Sequence, residues 1–246
     1  MKKLAISLLF LFIFLSCSKE LAFETRSFTK KTSLQCDDQC PQITVAVPFA
    51  ENGIAADSIN QTIFRTVTGI VQFGENPSEA KNYDELLASF ISTYEKLRRE
   101  SPNEIFGWEA DLTGRIAYQS EQILNIEIKH YTFTGGAHGY GGLRSLLFDP
   151  ATGKSISNAE LFKDLAAFRT YAENRFREKF KIPAGASINS QGMMFENEQF
   201  HLPQNIFFTT EGILLYYNAY EIASYAEGAQ ELLLPYDQVK QHLHFR

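Results

Sequence analysis

The residues best suited to chemistry lie between Tyr131 and Gly142, where Gly135, Gly136 and Gly139 surround His138. An imidazole exchanges a proton near neutral pH and serves as both donor and acceptor. Glycine admits positive φ and close backbone approach. Such a loop can aim backbone N–H groups and His138 at an anionic or carbonyl ligand. The same residues also describe a tight turn in which the imidazole ties down its own loop. A second group follows downstream, where Tyr216, Tyr217, Tyr220 and Tyr225 cluster near Glu221. Tyrosines beside a carboxylate can stack on sugars or anchor a protein partner; they can equally cap a sheet with their hydroxyls satisfied. The candidate binding residues are Tyr131, Gly135, Gly136, His138, Tyr140, Tyr220 and Glu221, and Tyr131, His138, Tyr220 and Glu221 are expected to meet in space. No catalytic set is assigned, because Gly-x-Ser-x-Gly, His-Glu-x-x-His and the phosphate loop are all missing. His242-x-His244 sits where chains fray, so no metal or cofactor is assigned either. A hydrolase using His138 and Glu221 is the alternative to a binding role.

Three cysteines divide into two kinds. Met1-Lys2-Lys3 precedes a 12-residue apolar run from Leu4 to Leu15, followed by Ser16-Cys17. This is the pattern of a secretory signal over residues 1–16, too short to span a bilayer as a helix. Phe14-Leu15-Ser16-Cys17 resembles the bacterial lipobox, so lipid on Cys17 is expected to anchor the chain in the cell envelope, at the outer membrane. Ser18-Lys19-Glu20 loosely resembles a surface-export signal, which leaves surface and periplasmic display both open. Cys36 and Cys40, with three residues between them, are expected to form a structural disulfide in an oxidising compartment. Losing Lys2 and Lys3 with the signal takes the formal charge from −6 to −8, against nucleic acid as a partner. The expected partners are the membrane, through Cys17, and a cell-wall glycan or an envelope protein.

The elements that must position these residues follow from periodicity. Residues 17–40 are polar and aperiodic and read as a tether. Ile43, Val45 and Val47 alternate as a strand that Pro48 ends or places at an edge. Asp57 is read as the cap of a helix with Ile59, Ile63 and Val67 on one stripe. Asn82 and Glu85 resemble a capping box for a second helix over Tyr83 to Arg99, with Pro102 beyond it. From Phe106 the period becomes two, and Trp108 to Gln119 is expected to pair with Ile123 to Thr134 as an antiparallel hairpin. Leu143 to Phe148 is a third strand, Asn158 to about residue 180 a helix, and residues 181–204 a long loop. Ile206–Thr209 and Ile213–Tyr217 form a second hairpin, Leu232–Leu234 a last strand, and Pro235 opens a short helix. The fold class expected is α+β, an antiparallel sheet with helices mainly on one face. Residues 41–142 and 143–246 form its two halves, packed as one compact unit.

Three stretches carry a family resemblance: Tyr131 to Gly139, Phe148-Asp149-Pro150-Ala151-Thr152-Gly153-Lys154, and Phe207 to Tyr236 with its Tyr220-Glu221-Ile222-Ala223. Together they resemble a bacterial envelope family of two adjacent domains of unknown function, over roughly residues 41–243. That family includes the ectodomain of the RsiV-type lysozyme-sensing anti-sigma receptor and the accessory module of PdaC-type peptidoglycan deacetylases. Only three residues precede the apolar run, so a sigma-binding segment is not expected. His-x-x-x-His and Thr-Phe-Asp-Asp are missing, so the deacetylase activity is not implied. The resemblance implies a binding module of the envelope.

Overall fold

Alternation of Ile43, Val45 and Val47 makes one side of β2 (Gln42–Glu51) apolar, and a sheet grows around it. The computed structural model describes residues 21–36, 40–75, 77–101 and 107–245. The signal, Cys17, Ser18-Lys19-Glu20, Pro102 and Phe106 lie outside them. β1 (Ala22–Lys31), β3 (Glu109–Gln119), β4 (Leu124–Phe133) and β5 (Tyr140–Phe148) complete a five-stranded sheet of order β1-β2-β3-β4-β5. The expected β3–β4 hairpin is present. The sheet is mixed rather than purely antiparallel, because β2 and β3 run parallel from Gln42↔Glu109 to Ala46↔Thr113. A parallel pair needs a crossover. Here α1 (Ala56–Val71) and α2 (Tyr83–Glu100) supply it. Their stripes, Ile59, Ile63 and Val67 and then Leu87, Phe90 and Ile91, bury against Val45, Leu112 and Ile126 as one core.

The second core belongs to β6 (Asn205–Phe208), β7 (Gly212–Tyr217) and β8 (Gln230–Pro235), an antiparallel sheet in that order. α3 (Leu165–Lys179) and the short α4 (Tyr236–Val239) cover it. Phe168 and Phe176 of α3 pack with Ile206, Leu215, Tyr217 and Leu234. The architecture is α+β.

Several local expectations are corrected. The polar stretch read as a tether contains β1, held to β2 by an unbroken antiparallel register from Ala22↔Glu51 to Lys31↔Gln42. Pro48 does not end β2; it lies past the last β2–β3 pair, where its missing N–H deprives no β3 partner. Asp57 falls in the first turn of α1, whose cap is Ala55 without a side-chain bond. The helix expected from Asn158 is two elements: a 3-10 turn Asn158–Leu161, boxed by Ser157 and Glu160, and then α3, capped by Asp164. The expected division at residue 142 falls inside β5, which starts at Tyr140 and stays in the first sheet to Phe148.

Buried asparagines join the two sheets. β5 is the outer strand of the first sheet, and its open edge needs partners. Asn218 supplies them to Leu143, its Oδ1 accepting the backbone N–H at 2.8 Å and its Nδ2 donating to the carbonyl at 3.0 Å. Asn205 Oδ1 accepts Ser145 N–H at 3.0 Å, and Asn125 Oδ1 accepts Phe208 N–H at 2.9 Å.

Candidate functional site

The end of β4, the start of β5 and the turn after β7 converge on one surface. β4 delivers Tyr131, and the chain then turns through Gly135 and Gly136 at φ of 107° and 91°. Both values lie where L side chains are disfavoured, and open space surrounds both positions, so these glycines serve the turn. His138 follows, exposed, with Nδ1 donating to Gly139 O at 2.9 Å. That bond leaves Nε2 as the acceptor for the Tyr220 hydroxyl, a long contact at 3.4 Å. Tyr225 stacks on the imidazole with ring centroids 4.1 Å apart, and Tyr220 lies 5.5 Å from Tyr225. The hydroxyl end of Tyr131 lies against Gly139, where any side chain would collide with it.

Tyr220 owes its position to a strained turn. It is a non-glycine residue at φ 69°, a conformation that persists only where its surroundings enforce it. Glu221 enforces it. Its Oε2 accepts Asn218 N–H at 3.0 Å and its Oε1 accepts Gln204 N–H at 2.8 Å. Ile222 and Ala223 are buried behind it. The Tyr-Glu-Ile-Ala motif therefore reads as presented ring, clamp and anchors. Tyr131, His138 and Tyr220 do come together, with Tyr225 as the fourth member. Glu221 does not join them, because both its oxygens are engaged by backbone N–H groups. Tyr140 also stands apart: its hydroxyl reaches Ala219 O at 3.4 Å and its ring faces His130. Tyr217 is buried, its hydroxyl donating to His201 O at 2.8 Å, and burial pushes its ionisation upward.

A polar cleft of about 760 Å³ opens beside the rings, lined by Tyr131, His138 and Tyr225 and by Lys31, Gln42 and Glu109 opposite. Cys40 is also on its wall. The Cys36–Cys40 disulfide, with a Cα separation of 5.4 Å, closes the connection between β1 and β2 beside it. Lys31 and Gln42 escaped sequence reasoning because neither belongs to a motif; only the β1–β2 register brings them to the cleft. Among the described residues no three His, Cys, Asp or Glu side chains gather as a metal site. No described helix is long and apolar enough to cross a membrane.

Comparison with known proteins divides the chain at this surface. Residues 30–140 match the family model described as deacetylase PdaC, and residues 159–237 match that of the protein of unknown function DUF3298. The first part of the chain is therefore similar to one family model and the second part to the other. His138 lies in the first and Tyr220 and Tyr225 in the second, so the aromatic cluster spans both. Two crystal structures share the fold across nearly the whole chain. A DUF3298 family protein from Pseudomonas aeruginosa PAO1 is 20% identical with a TM-score of 0.65, over 92% of this chain and 95% of that one. A member of the DUF3298 family from Bacteroides fragilis NCTC 9343 is 20% identical with a TM-score of 0.68, over 91% and 93%. No curated protein matches the chain.

Proposed function

We propose that this is a lipid-anchored envelope protein that binds a cell-wall glycan or an envelope protein through Tyr131, His138, Tyr220 and Tyr225. The observation that carries the reading is the exposure of this cluster, in which His138, Tyr220 and Tyr225 stack and Tyr131 lies beside Gly139. Tyr131, Tyr220 and Tyr225 keep 40%, 54% and 39% of their surface in solvent, although large aromatic rings usually contribute to cores. Each ring is held: Tyr131 by Gly139, Tyr220 by the Glu221 clamp, Tyr225 by the His138 stack. Rigid exposed tyrosines lose little entropy on binding, which suits them to stack on sugars or seat a partner. The polar cleft beside them supplies hydrogen-bonding groups of both charges in Lys31 and Glu109. The family model that residues 30–140 match is named for a deacetylase, but Glu221, the carboxylate next to Tyr220, is engaged by two backbone N–H groups, so binding is the better-supported role.

The test is titration of the purified protein with soluble peptidoglycan fragments, alongside capture of envelope proteins. Tyr225→Ala should weaken binding about tenfold or more while moving the unfolding midpoint little, since the ring is half exposed. Loss of neither interaction in that variant would sink the site. Cleavage of the fragments, abolished by His138→Ala in a folded protein, would replace binding with hydrolysis. The anchor is tested separately: Cys17→Ser should move the protein from the membrane fraction to the soluble one.

A further inference from the structure

A second cavity lies away from the aromatic cluster, between the turn joining β3 to β4 and the C-terminal segment. Its volume is about 530 Å³, within the range of roughly 300–1,000 Å³ that holds small ligands. Ile123, Phe208 and Leu243 are buried residues of the second core and form its walls. Polar residues line the same space: Tyr118, Ser120, Tyr236, Lys240 and Gln241. The Tyr236 hydroxyl donates to Thr209 O at 2.8 Å, and Tyr118 lines the wall with it. Lys240 is exposed and meets no carboxylate among the described residues. An apolar hollow of this size forfeits dispersion contacts when empty, and water gains few partners from apolar walls. Apolar walls with a few convergent polar groups and a cation are the pattern of a site for an amphipathic anion.

We propose that this cavity binds an amphipathic monoanion, with its acyl-like body between Ile123, Phe208 and Leu243 and its carboxylate at Lys240. The site shares no residue with the aromatic cluster, and the inference does not depend on the role proposed for that cluster. The walls select an apolar body, and Lys240 selects charge. An alcohol of the same length fills the walls and forgoes the ammonium.

The probes are decanoate and decanol, titrated calorimetrically below micelle formation into the purified full chain carrying Cys17→Ser, so that no acyl group of its own competes. Decanoate should bind saturably with one site. Lys240→Gln should weaken decanoate about three- to fivefold, the range of a partly exposed charge pair, and leave decanol unchanged. Added salt should weaken only decanoate. Gln241→Trp, at an exposed rim position, should block both probes while near-ultraviolet dichroism stays native. Three outcomes would overturn the proposal: no saturable binding of decanoate, equal loss of both probes in Lys240→Gln, or unchanged binding in a folded Gln241→Trp protein.

Discussion

Two histidines eight residues apart meet opposite conditions. His138 is exposed and uses both ring nitrogens. His130 is buried in β4, opposite Leu112 and Gly142, and neither ring nitrogen has a partner. Burial, reinforced by the Arg144 charge, holds its pKa down from 6.5 to about 4. The unfolded chain therefore takes up this proton before the folded one does. Stability from this group is complete above about pH 6.5, falls as pH drops through that value, and stops falling near pH 4. The slope should be no more than about 1.4 kcal/mol per pH unit, the limit for one proton taken up by the unfolded chain alone. Urea unfolding from pH 7 to pH 4 should show this fall in the native protein and a shallower one in His130→Phe. Equal slopes would remove His130 as the cause. Gly142 belongs to the same environment: a side chain there would meet Asn218 Oδ1 at 2.7 Å and His130 Nε2 at 3.0 Å. Its role is to leave room for them, not to approach a ligand.

At the scale of elements, legibility tracked periodicity. β3, β4, β7, α1 and α2 were readable because each buries one clean side, and an alternating or three-four pattern is all such packing requires. β1 was not. Phe23 and Phe28 both pack on the first core, yet they are five residues apart, which breaks alternation. The cause lies in β2, whose burial runs through Val45 and Val47 and then shifts phase to Pro48 and Ala50. A strand whose phase is set by its neighbour carries no period of its own to read. The site divided in the same way. The glycine turn and the tyrosines were visible as composition, and their convergence was expected for three of four residues. Glu221 misled because a carboxylate next to an exposed tyrosine resembles a site residue, whereas its two backbone bonds make it the clamp of a strained turn. That role depends on Gln204, seventeen residues away, which no local pattern could supply.

The molecule as a whole depends on how two cores are made one. The five-stranded sheet with α1 and α2, and the three-stranded sheet with α3 and α4, centre on separate apolar clusters. Leu147 of β5 is buried in the second core, and polar bonds cross beside it: Asn218 on Leu143, Asn205 on Ser145, and Ser145 Oγ on Ile206 O at 2.6 Å. These bonds occupy the edge of β5 as a sixth strand would, and they set the distance from the Gly-rich loop to Tyr220 and Tyr225. Removing an asparagine leaves β5 backbone groups buried and unpaired, at about 1–3 kcal/mol each. Trp108 is the only tryptophan and sits in the first core against Phe90 and Tyr94, so its fluorescence reports that core alone. Far-ultraviolet dichroism reports both. In the native protein the two signals should share one urea midpoint, the mark of a single cooperative unit. Asn205→Ala with Asn218→Ala should pull the midpoints apart and weaken whatever ligand the aromatic cluster binds, since its two halves no longer share a fixed frame. Coincident midpoints in the double variant would show instead that apolar contact between the sheets, through Tyr118 against Phe208, holds the cores together without the asparagines.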